Sequence, residues 1–181
     1  MMNGALKYWI FAFMLLFSVG VFSQSKILVD IQKQELILIE KGKAVEKYKV
    51  STAKNGVGSL KGSGKTPLGK HKIYKKIGEN HQIGSVFVGR QFTGKVYEIG
   101  KEQSERDLVL TRILQLQGLE PGINRGGDVD SLERCIYIHG TNDEELIGKP
   151  VSHGCVRMRN EDVINLYEKV DVNTIVEIVY N

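Results

Sequence analysis

Cysteine is scarce in this chain: Cys135 and Cys155 are the two among 181 residues, far too few for a small scaffold held together by disulfides. No cysteine follows the apolar N-terminal stretch, which argues against a lipid-modified anchor. Cys-x-x-Cys and His-x-x-x-His are both missing, and with them the local pairings that usually mark a zinc site. An excess of one charge is also lacking. Lys and Arg number 25 against 21 Asp and Glu, a net +4 with no run of five or six like charges. Solvated faces account for such dispersed charge, and no nucleic-acid partner is implied. No internal repeat and no low-complexity linker divides the chain. What is present is ordinary, with 41% apolar and 25% charged residues. That composition excludes disorder, a collagen-like repeat and a polytopic membrane protein, and the length suits one domain.

The apolar residues are unevenly placed. Lys7 precedes an uncharged stretch from Trp9 to Phe22, too short for a comfortable membrane span of ~20 residues but suited to the apolar core of a signal peptide. Residues 1–23 therefore read as a secretory segment cleaved after Ser23, leaving a domain at 24–181. The competing reading is an uncleaved anchor, which would give the chain its one membrane contact. Either way the domain is expected to be exported, periplasmic or associated with the cell wall.

Within 24–181 the pattern is mostly strand. Residues 27–31 and 35–40 are short, β-branched and leucine-rich around a polar turn, and 44–52 continues as a second hairpin. Further strands are expected at 72–75, 85–89, 95–99, 108–116, 135–139 and 174–179. One helix is expected from Asn160, read as its N-cap, with Val163, Ile164, Leu166, Tyr167 and Val170 on one side. The fold class is a single β-rich domain with one principal helix near the C-terminus. Residues 53–69 hold five glycines and read as a flexible loop over a site or an edge. Gly64-Lys65-Thr66 imitates the end of a phosphate loop, but the first glycine of that motif would fall on Ser59 and no helix follows. Nucleotide binding is set aside.

The stretch from Ile136 to Met158, IYIHGTNDEELIGKPVSHGCVRM, carries the chemistry. His139 ends a strand, and His153-Gly154-Cys155 follows a loop. A thiol needs an adjacent imidazole to take its proton, and a third group to fix the ring. Gly154 lets backbone approach a carbonyl, and its amide with that of Cys155 could form an oxyanion hole. Three other readings stand beside this one. Zinc would lack a fourth ligand. Cysteine is also common as a small core residue. A papain-like site would place its cysteine before its histidine. Four residues of regular strand would put Cys135 ~13 Å from His139, beyond disulfide reach of Cys155 if that sulfur meets the imidazole. Both thiols are therefore expected free, and Cys135 uninvolved in catalysis.

Ile138-His139-Gly140-Thr141-Asn142 and Gly148-Lys149-Pro150-Val151-Ser152-His153-Gly154-Cys155-Val156-Arg157-Met158 closely resemble the signature of the L,D-transpeptidase catalytic domain family, exported bacterial enzymes that cross-link peptidoglycan. Thr66-Pro67-Leu68-Gly69 resembles that family's weaker upstream element. The resemblance covers about residues 26–180. Two features depart from common members: arginine at 157 in place of asparagine, and no peptidoglycan-binding repeat. The resemblance implies a mixed β-sandwich, barrel-like domain with its site under a mobile lid. By position, Cys155 would be the nucleophile and His139 its base, with the carbonyl of Gly140 orienting the ring. Gly154 and Cys155 amides would stabilise the oxyanion. Ser152 and His153 would shape the cleft, and Arg157 would meet a substrate carboxylate. The partners would be donor and acceptor stem peptides of peptidoglycan, with D-alanine released and no cofactor. An L,D-carboxypeptidase using water as acceptor, or a non-catalytic wall-binding protein, are the alternatives. Carbapenems acylate members of this family.

Overall fold

A computed structural model describes residues 25–100 and 107–181; the secretory segment read at 1–23 lies outside the described residues. Among the described residues, ten strands and one α-helix form a mainly β domain. The strands are β1 (Lys26–Asp30), β2 (Glu35–Glu40), β3 (Lys43–Lys49), β4 (Gly69–Ile77), β5 (Ser85–Val88), β6 (Gln91–Val96), β7 (Val109–Gly118), β8 (Tyr137–Gly140), β9 (Val156–Met158) and β10 (Ile175–Val179), with α1 at Asn160–Lys169 between β9 and β10. They make one mixed sheet in the order β3-β2-β1-β10-β4-β7-β5-β6, from which β8 and then β9 branch off β7.

The branch exists because β7 is buried along nearly its whole length. Both of its faces are covered although Thr111, Arg112 and Gln115 interrupt the apolar run. Its pairing with β8 slips between Leu110 and Ile113, so Thr111 and Arg112 bulge out of register, a distortion that re-aims side chains. Thr111 adopts φ 69, costly for a β-branched residue. Its hydroxyl there donates to Asn160 Oδ1 and accepts the Gly84 amide at 2.9 Å.

Helix α1 buries Val163, Leu166 and Tyr167 in the main core with Leu114, Ile138, Val156 and Met158, each such side chain contributing roughly 1.5–3 kcal/mol. Its start differs from the expectation. Asn160 is the first helical residue, and Arg159 at the cap position makes no side-chain cap bond. Instead the distant Glu144 carboxylate accepts the Asn160 backbone and side-chain N–H groups, both at 2.7 Å. An acid there satisfies an orphan donor and suits the helix dipole. A second, smaller apolar cluster of Phe87, Ile113 and Tyr137 packs against Cys135 and Cys155.

The glycine-rich segment is tied down rather than loose. Thr66, fully buried, accepts the Ala53 amide and donates to the Gly154 carbonyl, both at 3.0 Å. Arg134 donates to the carbonyls of Lys65 at 2.7 Å and Gly58 at 3.3 Å. After Thr66 the chain enters β4, not a helix.

Candidate active site

The parallel pair β8–β9 builds the site. Ile138 lies opposite Val156, and His139 opposite Arg157. Paired residues of neighbouring strands share a face, so Cys155, one residue before β9, comes to the same face as Tyr137 and His139. The Tyr137 amide donates to Cys155 Sγ at 3.4 Å, and the thiol donates to the Cys135 carbonyl at 3.4 Å. Burial pushes the Cys155 thiol up to about 12, against the pull of the Tyr137 amide. Cys155 therefore rests as a neutral thiol at pH 7.

His139 is 2% exposed, and its Nδ1 lies 2.7 Å from the Gly140 carbonyl. A carbonyl can only accept, so Nδ1 carries the proton and Nε2 keeps its lone pair. Burial holds this imidazole below its ordinary value, outweighing the Gly140 hydrogen bond and the Asp107 charge. The ring is neutral at pH 7 and ready to accept a proton. Gly140 has no room for a side chain: a Cβ would lie 2.4 Å from Asn160 Oδ1 and 2.8 Å from the Leu110 carbonyl. Asn160 Nδ2 also donates to the Thr141 carbonyl at 2.7 Å. The start of α1 thus fixes the strand end that holds the imidazole.

The turn before Cys155 is closed from within. Ser152 is fully buried; its hydroxyl donates to the Cys155 carbonyl at 2.6 Å and accepts the Gly154 amide at 3.2 Å. The Gly154 amide, expected at an oxyanion, is thus given to Ser152. Gly154 itself has φ 135, a backbone conformation in which a side chain is strained. Ser152 closes the turn rather than lining an open cleft.

Arg157 also has partners other than the one expected. Its side chain is 3% exposed; Nη2 pairs with Asp107 and Nη1 lies 3.3 Å from Asp143. Two protein carboxylates engage the guanidinium, and it faces inward. Asp107 further accepts from His153 Nδ1 at 2.9 Å, the histidine side chain being 61% exposed. Burial would raise the Asp107 carboxyl, but His153, Arg157 and His139 together hold it below its usual range. Asn142 accepts the neighbouring Leu108 amide at 2.9 Å, which ties this acid to the His-Gly-Thr-Asn turn. Asp107, Asn160 and Thr66 are thus parts of the site that sequence spacing did not single out.

Cys135 departs furthest from expectation. It precedes β8 and has φ 57, so the regular-strand separation does not apply. Its carbonyl touches the Cys155 sulfur, while its own sulfur lies 3.3 Å from Arg90 Nη1. Both thiols are free. Among the described residues no group of three His, Cys, Asp or Glu side chains forms a metal-ligand set, and no helix is long and apolar enough to cross a membrane.

Known proteins resemble this chain in part. A 50-residue segment is 48% identical to the putative L,D-transpeptidase YqjB of Bacillus subtilis, covering 27% of this chain and 28% of the relative. A 46-residue segment is 56% identical to the probable L,D-transpeptidase YbiS of Escherichia coli, covering 25% of this chain and 15% of that one. An L,D-transpeptidase structure from Mycobacterium smegmatis superposes with TM-score 0.51 at 16% identity, covering 86% of this chain and 58% of that chain. L,D-transpeptidase 3 of Mycobacterium tuberculosis, in complex with a faropenem-derived adduct, gives 0.52 at 16% identity over 86% of this chain and 60% of its own. These likenesses in structure are likenesses of fold, and each match spans less than two thirds of its relative. The L,D-transpeptidase catalytic domain (YkuD) model matches residues 24–178, and with a match of that extent the chain belongs to the L,D-transpeptidase catalytic domain family.

Proposed function

We propose that this chain is an exported cysteine L,D-transpeptidase acting on peptidoglycan stem tetrapeptides through a thioester acyl-enzyme. One observation carries the reading: a buried, neutral imidazole, its Nδ1–H given to the Gly140 carbonyl, shares a face with the thiol of Cys155. A neutral imidazole with Nε2 left open, on the face that carries the thiol, is an arrangement from which a general base can act on a nucleophile.

The thiol is not ionised at rest, so its proton leaves as the sulfur attacks. Sγ bonds to the carbonyl carbon of the third stem residue, and His139 Nε2 takes the thiol proton. The Cys155 backbone amide stabilises the oxyanion, since Ser152 engages that of Gly154. Collapse breaks the C–N bond, and the imidazolium returns its proton to the departing D-alanine amine. An amine of a second stem then attacks the thioester, His139 accepts its proton, and the thiol is regenerated. Water in that place would give a carboxypeptidase. The N-terminal segment supports export, where peptidoglycan lies.

Incubation with purified muropeptides followed by mass spectrometry tests the reading. Cross-linked dimers and released D-alanine are expected; trimmed monomers alone would make it a carboxypeptidase. In line with the faropenem-derived adduct of the M. tuberculosis neighbour, a penem or carbapenem should add once, at Cys155. An undiminished adduct on Cys155→Ala would remove the nucleophile from the scheme.

A further inference from the structure

Arg157 turns inward, so any carboxylate on the substrate must find another cation, and Arg90 is placed to supply it. The turn between β5 and β6 has two residues, Gly89 and Arg90, with φ 57 and 68, and Val88 pairs with Gln91 across it. Such a turn favours glycine or asparagine at both positions. An arginine in the left-handed region is strained, and a local rule broken in this way points to a site. The side chain reaches back from the hairpin to the catalytic strand. Its Nη1 lies 3.0 Å from the Tyr137 hydroxyl and 3.3 Å from Cys135 Sγ.

Both partners are uncharged, and among the described residues no carboxylate forms an ion pair with Arg90. The guanidinium opens onto a cavity of about 460 Å³ lined also by Lys75, Tyr74, Gln115, Glu133 and Cys135. A bulge in β4 between Ile73 and Lys75 lets adjacent residues of that strand face it. Two cations against one acid leave the cavity net positive. Cys135 joins it to the chemistry, with its side chain at the guanidinium and its carbonyl against the nucleophilic sulfur.

We propose that Arg90, assisted by Lys75, binds a carboxylate of the donor peptide beside the scissile carbonyl, namely the free terminal carboxylate of the leaving D-alanine. This rests on the tetrapeptide reading above. In such a donor a single residue follows the bond that breaks, and one residue spans ~3.5 Å. Its carboxylate must therefore lie close to Cys155 Sγ, and Cys135 and Tyr137 each touch that sulfur through the backbone and the Arg90 guanidinium through the side chain. A planar guanidinium takes a carboxylate in a fork of two hydrogen bonds.

The test compares a stem tetrapeptide ending in D-alanine with the same peptide ending in D-alaninamide, on wild type and on Arg90→Gln. Wild type should favour the acid by roughly 10- to 100-fold in kcat/KM, the scale of a charged hydrogen bond. Arg90→Gln should lose that factor on the acid and treat both donors alike, with Arg90→Lys between. Equal use of both donors by wild type, or an undiminished preference in Arg90→Gln, overturns the proposal. A loss confined to a donor amidated on its third-residue side chain would also overturn the assignment to the terminal group. A second readout needs no turnover: site-resolved alkylation of Cys155 by iodoacetamide. Millimolar N-acetyl-D-alanine should slow it in wild type and not in Arg90→Gln, and the corresponding amide should slow neither. If no stem peptide is cut but this protection is seen, the subsite stands while the transpeptidase reading falls. Absence of protection removes the subsite, whatever donors are cut.

Discussion

His71 and His139 are both buried strand residues, and each gives Nδ1–H to the carbonyl of a nearby glycine, Gly69 at 3.0 Å and Gly140 at 2.7 Å. Neither glycine has room for a Cβ, which would lie 2.1 Å from Glu120 Oε2 at Gly69 and 2.4 Å from Asn160 Oδ1 at Gly140. Burial lowers both rings below the ordinary histidine value. They part at the second nitrogen. His71 Nε2 accepts from the Ser131 hydroxyl at 3.0 Å, which closes the ring's hydrogen bonding. Among the described residues no hydrogen bond closes His139 Nε2. A neutral buried imidazole is structural when both nitrogens are satisfied, and becomes a base when one is left to the substrate.

The largest test of that contrast exchanges the two losses. His139→Ala should slow carbapenem acylation of Cys155 by roughly 10²–10⁴, the share of a positioned base, with the fold retained by circular dichroism. His71→Ala should do the reverse, lowering the melting temperature while the folded fraction reacts near the wild-type rate. A folded His139→Ala reacting at that rate would erase the distinction.

Acid should find the structural histidine. His71 is held at about 4 by burial, against ~6.5 in an unfolded chain. The unfolded state therefore binds the proton first as pH falls. The stability held above pH 6.5 is lost between there and pH 4, by about 3 kcal/mol. Denaturant titrations of wild type and His71→Gln over that range check the sign. The wild type should lose the larger amount, and parallel curves would mean that another group carries the acid sensitivity.

The carbonyls can be displaced as well. Gly140→Ala drives a methyl into Asn160 and the Leu110 backbone, and a shift near 1 Å in the held ring should cost roughly 100-fold in acylation rate. Gly69→Ala meets the far end of Glu120, a side chain able to swing, though φ 94 still strains it. It should cost stability and leave acylation by the folded fraction unchanged.

How far these roles were legible follows from how local each signal is. The strand at 35–40 is legible with its bounds, because a short β-branched and leucine-rich run is closed by a glutamate at each end. Val156-Arg157-Met158 was missed as a strand, three residues being too few to show a period. The stretch read at 95–99 pairs earlier, as β6, because the Gly89–Arg90 turn fixes its register. Cys155, His139 and Gly140 stood out in a compact motif. Asp107, Asn160 and Thr66 act across 50, 49 and 88 residues of sequence, and no spacing rule reaches so far. The Arg157 expectation followed from residue type, whereas its partners Asp107 and Asp143 are set by the fold. The regularity assumed at Cys135 gives way to one left-handed residue, and titration of the denatured, unreduced protein should count two thiols.

The smallest expected effect concerns the acid that His139 feels and His71 does not. Asp107 favours the charged imidazole of His139 and opposes the thiolate of Cys155. Because His139 must be neutral to act, acylation should rise with pH along a limb below 6.5, set by its lowered value. Asp107→Asn removes the anion and leaves Arg157 facing the ring with only Asp143 to balance it. Both changes disfavour imidazolium, so the limb should move to lower pH. The shift should be small, because Asp107 acts on the ring by charge alone while burial dominates. The same substitution frees His153 from its carboxylate, which alters the cleft rim and leaves the sign of the limb unchanged. Acylation rates measured by mass spectrometry across pH 4–7 decide it, and a limb that stays put or moves upward would mean that His139 does not set it.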